Sequence, residues 1–340
     1  MDSAMTHADR SPLALSMGEP AGIGPEITLK AWAARQTEQL PVFFAVGAPA
    51  LYRQLATSLG LDVPLHEIAS PEEAAGFFNR ALPVLPLPLE ADVEPGRLSP
   101  PNARAVMRSI DLACDLALAG RAAGIVTNPI HKRALYEAGL NLPGHTEYLA
   151  ARTGGATPVM MLSCPGLRVV PVTVHEPLAS VATSLTTAMI IEKGVILARA
   201  LKHDLGIARP RIAVAGLNPH AGEEGHIGRE EIDVIAPALD AIRNAGAEIS
   251  GPLPPDTMFH AAARMRYDAA LCMYHDQALI PLKTIDFEHG VNTTLGLPIV
   301  RTSPDHGTAL DIAGRGVAHP GSLIEAIRLA DEIARNRAAS

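Results

Sequence analysis

The chain lacks several features that would place it in common functional classes. Its 28 lysines and arginines are scattered, the formal net charge is −8, and no basic block of the kind that follows a phosphate backbone occurs. No apolar run reaches the ~20 residues that a membrane-spanning helix needs, and residues 1–10 have neither the basic nor the apolar segment of a signal peptide. We therefore expect no nucleic-acid partner and no membrane partner.

Cysteine and aromatic residues are also scarce. The three cysteines, Cys114, Cys164 and Cys272, form no CxxC pair and lie in apolar surroundings, which predicts buried thiols in a reducing compartment, the cytoplasm. Aromatic residues make up 4% of the chain and hydrophobic residues 48%, so the core must consist mainly of aliphatic side chains. A length of 340 residues suggests two domains.

Short β-type apolar runs alternate with helical stretches, which is typical of mainly parallel sheets covered by helices. The fold class is therefore α/β. The clearest predicted strands are residues 13–17, 41–46 and 124–127. The clearest predicted helices are residues 25–34, 102–119, 186–205 and 230–245.

Three histidines, His175, His220 and His275, follow the ends of predicted strands. Ligands collect beyond the carboxyl ends of parallel strands, so three imidazoles there can converge on one divalent metal and leave a position open for substrate. A hydrogen-bonded structural role for each histidine is the alternative, since the chain has 13 of them. A three-histidine site suits zinc and admits cobalt, and a water-rich site accepts magnesium. The apolar runs concerned are residues 169–174, 212–217 and 269–274.

A glycine-rich segment, GEPAGIGPE (18–26), opens a predicted helix after a predicted strand. It is superficially similar to a dinucleotide fingerprint, but Ile27 stands where the third glycine belongs. No acidic residue is clearly placed after the next strand to bind a ribose. The segment therefore predicts a tight strand-to-helix turn in preference to a phosphate cradle.

Two further groups of polar residues indicate an anionic substrate. In GHTE (144–147), Thr146 can cap a helix, and the exposed amides together with His145 can hold an anion; a simple cap is the alternative. Lys283, Asn292 and Arg301 follow the last of the three histidines at short intervals. Lysine and arginine bind phosphate and carboxylate, although each one singly is also compatible with an inert surface position.

Taken together, these segments resemble the 4-hydroxythreonine-4-phosphate dehydrogenase family of vitamin B6 biosynthesis. They occur in order along nearly the whole chain, and several are long and unusual. The matching stretches are MGEPAGIGPE (17–26), TNPIHK (127–132), GHTE (144–147), GLNPHAGEEGHIGREE (216–231), GPLPPDT (251–257), MYHDQ (273–277), GVNTTLGLP (290–298) and RTSPDHGTALDIAGRG (301–316).

The resemblance implies the fold of isocitrate and isopropylmalate dehydrogenases. That fold has two α/β/α domains with mainly parallel sheets and an active site in the cleft between the domains. Because the sequence has no Gly/Ser-rich linker, the chain ends should return to one domain. We expect a first domain of residues 1–135 and 302–340 with the cofactor loop. The second domain, residues 136–301, should carry the metal and substrate residues and the dimer contacts.

The resemblance also implies a role for each group of candidate residues. The metal ligands, for Zn²⁺, Mg²⁺ or Co²⁺, would be His175, His220 and His275. Lys283, which would contact the substrate, is chemically suited to anion binding or proton transfer, and the sequence leaves its catalytic role open. The implied substrate contacts are His145, Thr146, Lys283, Asn292 and Arg301. A separate stretch, DHGTALDIAG (305–314), is similar to the loop that contacts the adenosine part of NAD or NADP in the isocitrate dehydrogenase group, which implies cofactor contacts at His306, Gly307, Thr308 and Asp311.

The implied reaction is a metal-dependent, NAD- or NADP-linked oxidation of 4-phosphooxy-L-threonine at C3, followed by decarboxylation to 3-amino-2-oxopropyl phosphate. The implied assembly is a homodimer with a shared active site, for which we expect His175 and His220 from one subunit and His275 from the other. Two alternatives stay open. A paralogue would act on 4-phosphothreonate or 4-phosphoerythronate. A non-redox phosphometabolite-binding protein, or an acyltransferase- or phosphotransferase-like protein of related fold, would reduce no nicotinamide.

Overall fold

The computed structural model describes residues 10–139, 144–155 and 157–340. The strands are β1 (Leu13–Ser16), β2 (Phe43–Gly47), β3 (Leu65–Glu67), β4 (Leu82–Pro86), β5 (Gly124–Thr127), β6 (Val159–Cys164), β7 (Leu167–Pro171), β8 (Arg211–Ala215), β9 (Glu248–Leu253), β10 (Ala269–Cys272), β11 (Val291–Leu295) and β12 (Arg301–Pro304). The α-helices are α1 (Gly24–Ala33), α2 (Pro49–Leu59), α3 (Ala74–Phe77), α4 (Ala103–Leu118), α5 (Lys132–Glu137), α6 (His145–Arg152), α7 (Leu178–Ser184), α8 (Thr187–His203), α9 (Ala236–Asn244), α10 (Ala261–Arg264), α11 (His275–Ile285) and α12 (Gly321–Ala339).

The chain divides into two compact units. The first unit comprises Met1–Thr157 and Leu297–Ala334, and the second comprises Pro158–Gly296 and Arg335–Ser340. Leu15 and Thr308, near the two ends of the chain, both lie in the first unit.

The first unit contains a fully parallel sheet with the strand order β3-β4-β2-β1-β5-β12. Its central strands β1, β2 and β5 are buried along their whole length, because helices cover both faces of such a sheet. Helix α4 contributes Val106 and Ile110 to the same core as Phe44 of β2. Continuous burial explains why these strands appear in the sequence as unbroken apolar runs.

The unit boundaries differ from the expected domain boundaries in three places: residues 136–157 and 297–301 lie in the first unit, and residues 335–340 lie in the second. Leu149 and Ala150 of α6 are part of the core of the first unit. On the polar side, Arg152 donates to Asp115 of α4 at 2.7 Å, and the Tyr148 hydroxyl donates to Asp111. Helix α6 is therefore packed against α4.

The second unit contains a mixed sheet with the order β11-β6-β7-β10-β8-β9. Strands β7, β10, β8 and β9 are parallel, whereas β6 is antiparallel to both of its neighbours. The reversal follows from a two-residue turn, Pro165 and Gly166, between the paired residues Cys164 and Leu167. Gly166 has φ +81°, a conformation that glycine adopts without a steric penalty.

One predicted helix, residues 230–245, is interrupted. The structure has a π-helical turn at Glu231–Ile235 before α9. Pro237 in the first turn of α9 has no N–H and its ring crowds the carbonyl four residues earlier, which disrupts regular α-helical hydrogen bonding at this point. In the described part of the chain no single helix has the length and apolar character needed to cross a membrane; α7 and α8 meet that test only as a pair bent by 94°.

Candidate active site

The second unit brings the three strand-end histidines to one edge of its sheet. Strands β7, β10 and β8 are parallel neighbours, so their carboxyl ends meet at the same edge. His175 follows β7, His220 follows β8, and His275 begins α11 after β10. The sequence-based placement of these residues beyond strand ends therefore agrees with the topology.

His175 and His275 are close neighbours within one chain. Their ring centroids are 5.8 Å apart, and both line a cavity of about 230 Å³ together with Glu176, Tyr274 and Asp276. His275 Nδ1 lies 2.7 Å from Asp276 Oδ1. An ionised carboxylate only accepts hydrogen bonds, so this contact favours the neutral tautomer with the proton on Nδ1 and a lone pair on Nε2, the arrangement found in metal-binding histidines.

His220 lies in a strained segment. It has φ +53°, and Ala221, Glu223 and Glu224 also have positive φ, a left-handed conformation that costs about 1–2 kcal/mol for each such residue. The segment is held by Glu231, whose Oε1 accepts hydrogen bonds from the backbone N–H groups of Leu217 and Asn218, both at 2.7 Å. Backbone strain of this kind is typical of functional sites.

The described residues of one chain contain no group of three His, Cys, Asp or Glu side chains placed to hold a metal. His175 and His275 form a pair, and His220 does not complete it. The expected division, with His175 and His220 from one subunit and His275 from another, stays a prediction. The donor chemistry fits a divalent metal nevertheless, because two imidazoles share one cavity and one of them is oriented by a carboxylate.

The first unit carries a cluster of cationic and imidazole side chains. Arg301, at the start of β12, is 3% exposed and donates from Nη2 to Thr127 Oγ1 at 2.8 Å. Burial lowers its pKa to about 10, with the charge of Glu147 acting in the opposite direction. Arg301 remains protonated at neutral pH and supplies a buried positive charge.

His145 faces the same charges. It is the first residue of α6, is half-buried, and its Nε2 has no hydrogen-bond partner among the described residues. Burial, Arg301 and Lys132 lower its pKa to about 3, so the ring is neutral at pH 7. A neutral ring beside two cations at the start of an eight-residue helix is suited to hydrogen bonding an anion.

The other predicted substrate residues are distributed over both units. Thr146 is the second residue of α6 and does not cap it, because the N-cap position is taken by Gly144. Asn292, on β11 in the second unit, has a buried Oδ1 without a hydrogen-bond partner among the described residues. Lys283 is on α11, with Nζ 5.2 Å from the Phe287 ring centroid. Lys132 was missed by the sequence analysis, although a basic residue shortly after β5 in TNPIHK (127–132) was the available signal.

The predicted cofactor loop follows β12 in the first unit. Thr308 O accepts a hydrogen bond from Ile23 N at 3.0 Å, and a Cβ on Gly22 would lie 2.9 Å from the same oxygen. The glycine-rich turn before α1 is therefore shaped for close packing against the loop. Gly307 and Asp311 are exposed, whereas Thr308 is buried, and His306 Nδ1 lies 3.1 Å from Gly307 O.

Comparison with known proteins gives one consistent result. Residues 39–330 match the family model described as "Pyridoxal phosphate biosynthetic protein PdxA". A 4-hydroxythreonine-4-phosphate dehydrogenase of Caulobacter vibrioides is 54% identical over 332 residues, covering 96% of this chain and 98% of the relative.

Comparison with solved structures indicates the same family. The crystal structure of 4-hydroxythreonine-4-phosphate dehydrogenase from Klebsiella pneumoniae has a TM-score of 0.85 at 40% identity, covering 95% of this chain and 99% of that one. A 4-hydroxythreonine-4-phosphate dehydrogenase from Burkholderia phymatum has a TM-score of 0.81 at 36% identity, covering 95% and 98%. This chain therefore belongs to the pyridoxal phosphate biosynthetic protein PdxA family.

Proposed function

We propose that this protein is a metal-dependent, NAD- or NADP-linked dehydrogenase of 4-phosphooxy-L-threonine in vitamin B6 biosynthesis. It would oxidise the C3 hydroxyl and release CO₂ to leave 3-amino-2-oxopropyl phosphate. The observation that carries the proposal is the near full-length identity of 54% to a relative named for this activity. The imidazole pair in the second unit and the cationic cluster in the first support it, since a phosphorylated hydroxy acid needs both kinds of group.

His175, His220 and His275 are proposed to hold the metal, and residues 306–311 to hold the adenosine part of the cofactor. When bound, the metal would lower the pKa of the substrate hydroxyl as a Lewis acid, and the nicotinamide would accept a hydride. The contact between His275 and Asp276 favours this ring tautomer and so prepares Nε2 for coordination. The set of imidazoles suits Zn²⁺ or Co²⁺, and a water-rich site would also accept Mg²⁺.

Arg301, His145 and Thr146 are proposed to bind an anionic end of the substrate. Arg301 supplies a fixed charge, because its guanidinium is already oriented by Thr127. His145, neutral at pH 7, supplies a hydrogen bond through Nε2. Asn292 and Lys283 are proposed as further substrate contacts, and the ammonium of Lys283 is suited either to anion binding or to moving a proton.

We further propose a homodimer with a shared active site, in which the three histidines of one metal site come from two subunits. A shared site is supported by the described residues of one chain, which contain no group of three metal ligands. Two divisions are open: His175 with His220 from one chain, as expected from the sequence, or His175 with His275, whose ring centroids are 5.8 Å apart. The proposed location is the cytoplasm, where the three buried cysteines, which are free thiols, stay reduced.

The test is a steady-state assay that follows the absorbance of reduced nicotinamide with 4-phosphooxy-L-threonine, 4-phosphothreonate and 4-phosphoerythronate as substrates. We expect turnover to be fastest with the amino acid, with either NAD or NADP, and to disappear after chelation and return with a divalent metal. A preference for a sugar acid would identify the paralogous activity instead. No reduction of nicotinamide with any of the three would reject the dehydrogenase and favour a binding protein or a transferase.

A further inference from the structure

Gln277 occupies an unusual position beside the candidate metal site. It is the third residue of α11 and only 7% exposed. Its Oε1 accepts a hydrogen bond from Met273 N at 2.6 Å, and its Nε2 donates to Gly216 O at 2.8 Å. One buried side chain therefore connects the end of β10 to the end of β8, across a separation of 61 residues.

Helix capping explains only half of this arrangement. A glutamine at the third helical position commonly reaches back to a backbone N–H before the helix, and the bond from Met273 N is of this type. The second bond has no part in capping α11, because Gly216 belongs to the exit of another strand. Met273 lies two residues before His275, and Gly216 lies four residues before His220, so the amide joins the two backbone segments that carry these histidines.

Two other buried side chains extend the same connection. Thr173, 2% exposed, donates from Oγ1 to Met273 O at 2.9 Å, and its backbone N–H bonds the same oxygen at 3.1 Å. Thr173 thereby joins the segment that carries His175 to the end of β10. Glu231, 4% exposed, holds the exit of β8 through the backbone N–H groups of Leu217 and Asn218.

We infer that Gln277 is a positioning residue for metal binding, because it fixes the exit of β8 that carries His220 relative to the exit of β10 that carries His275. In the proposed dimer these two histidines of one chain serve the two different metal sites, so the amide acts on both sites. The inference rests on the proposed function, since it assumes that these histidines bind a metal. The removal of the amide leaves Met273 N and Gly216 O without their partner in a buried place, so the two segments must shift to find others. Partners that orient metal ligands typically contribute about 10- to 100-fold in metal affinity.

The experiment is a titration of metal-free full-length protein with Co²⁺ alone, which gives both a dissociation constant and a visible absorption spectrum that reports ligand geometry. Gln277→Met keeps the length of the side chain and removes both hydrogen bonds. We expect cobalt affinity to fall by about 10- to 100-fold and the spectrum to change, while the oligomeric state is retained.

Ser109→Ala is the matched control. Ser109 is also a buried side chain that joins two strand ends, accepting from Met17 N at 2.8 Å and donating to Val46 O at 2.7 Å, but it lies in the first unit. It should lower thermal stability and leave cobalt affinity and spectrum unchanged. A cobalt affinity in Gln277→Met equal to that of the wild type would overturn the inference and leave the proposed function intact.

The remaining outcomes are also decisive. If the wild type binds no Co²⁺, or if His220→Ala binds it as the wild type does, both the proposed metal site and the inference fail. If Gln277→Met does not fold, the cobalt affinity of Thr173→Val provides the test instead, because this substitution removes one hydroxyl at nearly constant volume. A several-fold loss of cobalt affinity in Thr173→Val supports positioning by the connected strand exits, and an unchanged affinity overturns it.

Discussion

The two units carry candidate ligand-binding groups in contrasting environments. In the first unit Arg301 is buried and already bonded to Thr127, and His145 is half-buried. In the second unit His175 and His220 are exposed, and His220 lies in a strained left-handed segment. The cationic cluster is thus built into the interior of one chain, whereas the histidines extend beyond the ends of their strands.

This difference in burial indicates how each group of side chains would bind its ligand. A buried arginine is oriented before the substrate arrives, so little conformational entropy is lost on binding. Exposed imidazoles are accessible to a metal ion and, in the proposed dimer, to a histidine of the second copy. Mutation of the cationic cluster should therefore affect substrate binding in the subunit that carries it. Mutation of a histidine should instead affect metal sites that both subunits of the proposed dimer form together.

The largest expected effect comes from removal of a histidine. His220→Ala should reduce turnover by at least about a thousandfold, or ~4 kcal/mol, and lower metal content, while the circular dichroism spectrum stays that of the folded protein. His203→Ala, at an exposed histidine at the end of α8, is the control and should be fully active. Full activity of His220→Ala would remove this residue from the metal site.

Subunit exchange sharpens the same prediction. If His175 and His275 act from one chain and His220 from its partner, a mixture of His220→Ala with His275→Ala produces dimers with one intact site, and up to half of the activity per mixed dimer should return. A mixture of His175→Ala with His275→Ala should stay inactive, because each chain then lacks one member of the pair. Recovery in the second mixture would support the other division, with His175 and His220 from the same chain.

The second largest effect is expected at Arg301. Arg301→Ala removes a charge-assisted contact and should weaken substrate binding by about 1.5–3 kcal/mol, which is roughly ten- to over a hundredfold, with cofactor affinity unchanged. Substrate and cofactor dissociation constants from equilibrium titration provide the measurement. Arg209→Ala, at an exposed position, is the charge-matched control. An unchanged substrate constant in Arg301→Ala would mean that the guanidinium is structural.

The contrast between the two units also explains what the sequence could and could not predict. Parallel strands buried on both faces appear as continuous apolar runs, so β1, β2 and β5 were predictable. The placement of three histidines after such runs was sufficient to predict their common edge. The antiparallel direction of β6 depends on the turn at Pro165 and Gly166, which a search for alternating strands and helices overlooks.

Contacts between residues far apart in the chain could not be predicted from the sequence. Arg301 bonds Thr127 across 174 residues, and nothing local at either position indicates the other. The left-handed backbone at His220 also cannot be predicted from residue propensities, because it depends on the hydrogen bonds that Glu231 accepts from the preceding residues. The pairing of His175 with His275 needed the register of β7 and β10, which apolar runs alone do not define.

A smaller effect is expected in the pH dependence of stability, through His145. Its pKa is lowered to about 3 from an ordinary value of ~6.5, so the unfolded chain binds a proton that the folded chain does not between these values. The free energy of unfolding should therefore fall as the pH drops from about 6.5 towards 3. Between pH 6.5 and 5 this contribution is about 1 kcal/mol, with allowance for partial exposure.

Urea unfolding of metal-free protein at the two pH values measures this effect. His145→Gln removes the titrating group and should make the decline in stability shallower, whereas His203→Gln, at the exposed control position, should not. Equal declines in the wild type and His145→Gln would show that the imidazole is well solvated. His145 would then be as exposed to solvent as the histidines of the second unit, and the contrast between the two units would fail.

The smallest expected effect tests how α6 holds His145 in place. Asp115 accepts two hydrogen bonds from Arg152 at the surface, while Leu149 of the same helix is fully buried. Asp115→Asn should lower the free energy of unfolding by at most about 0.5 kcal/mol, and substrate affinity should not change. Leu149→Ala is the matched comparison and should cost about 2–5 kcal/mol. If Asp115→Asn instead weakened substrate binding severalfold, surface charge rather than burial would orient the helix, and the cationic cluster would be no more rigid than the histidines of the second unit.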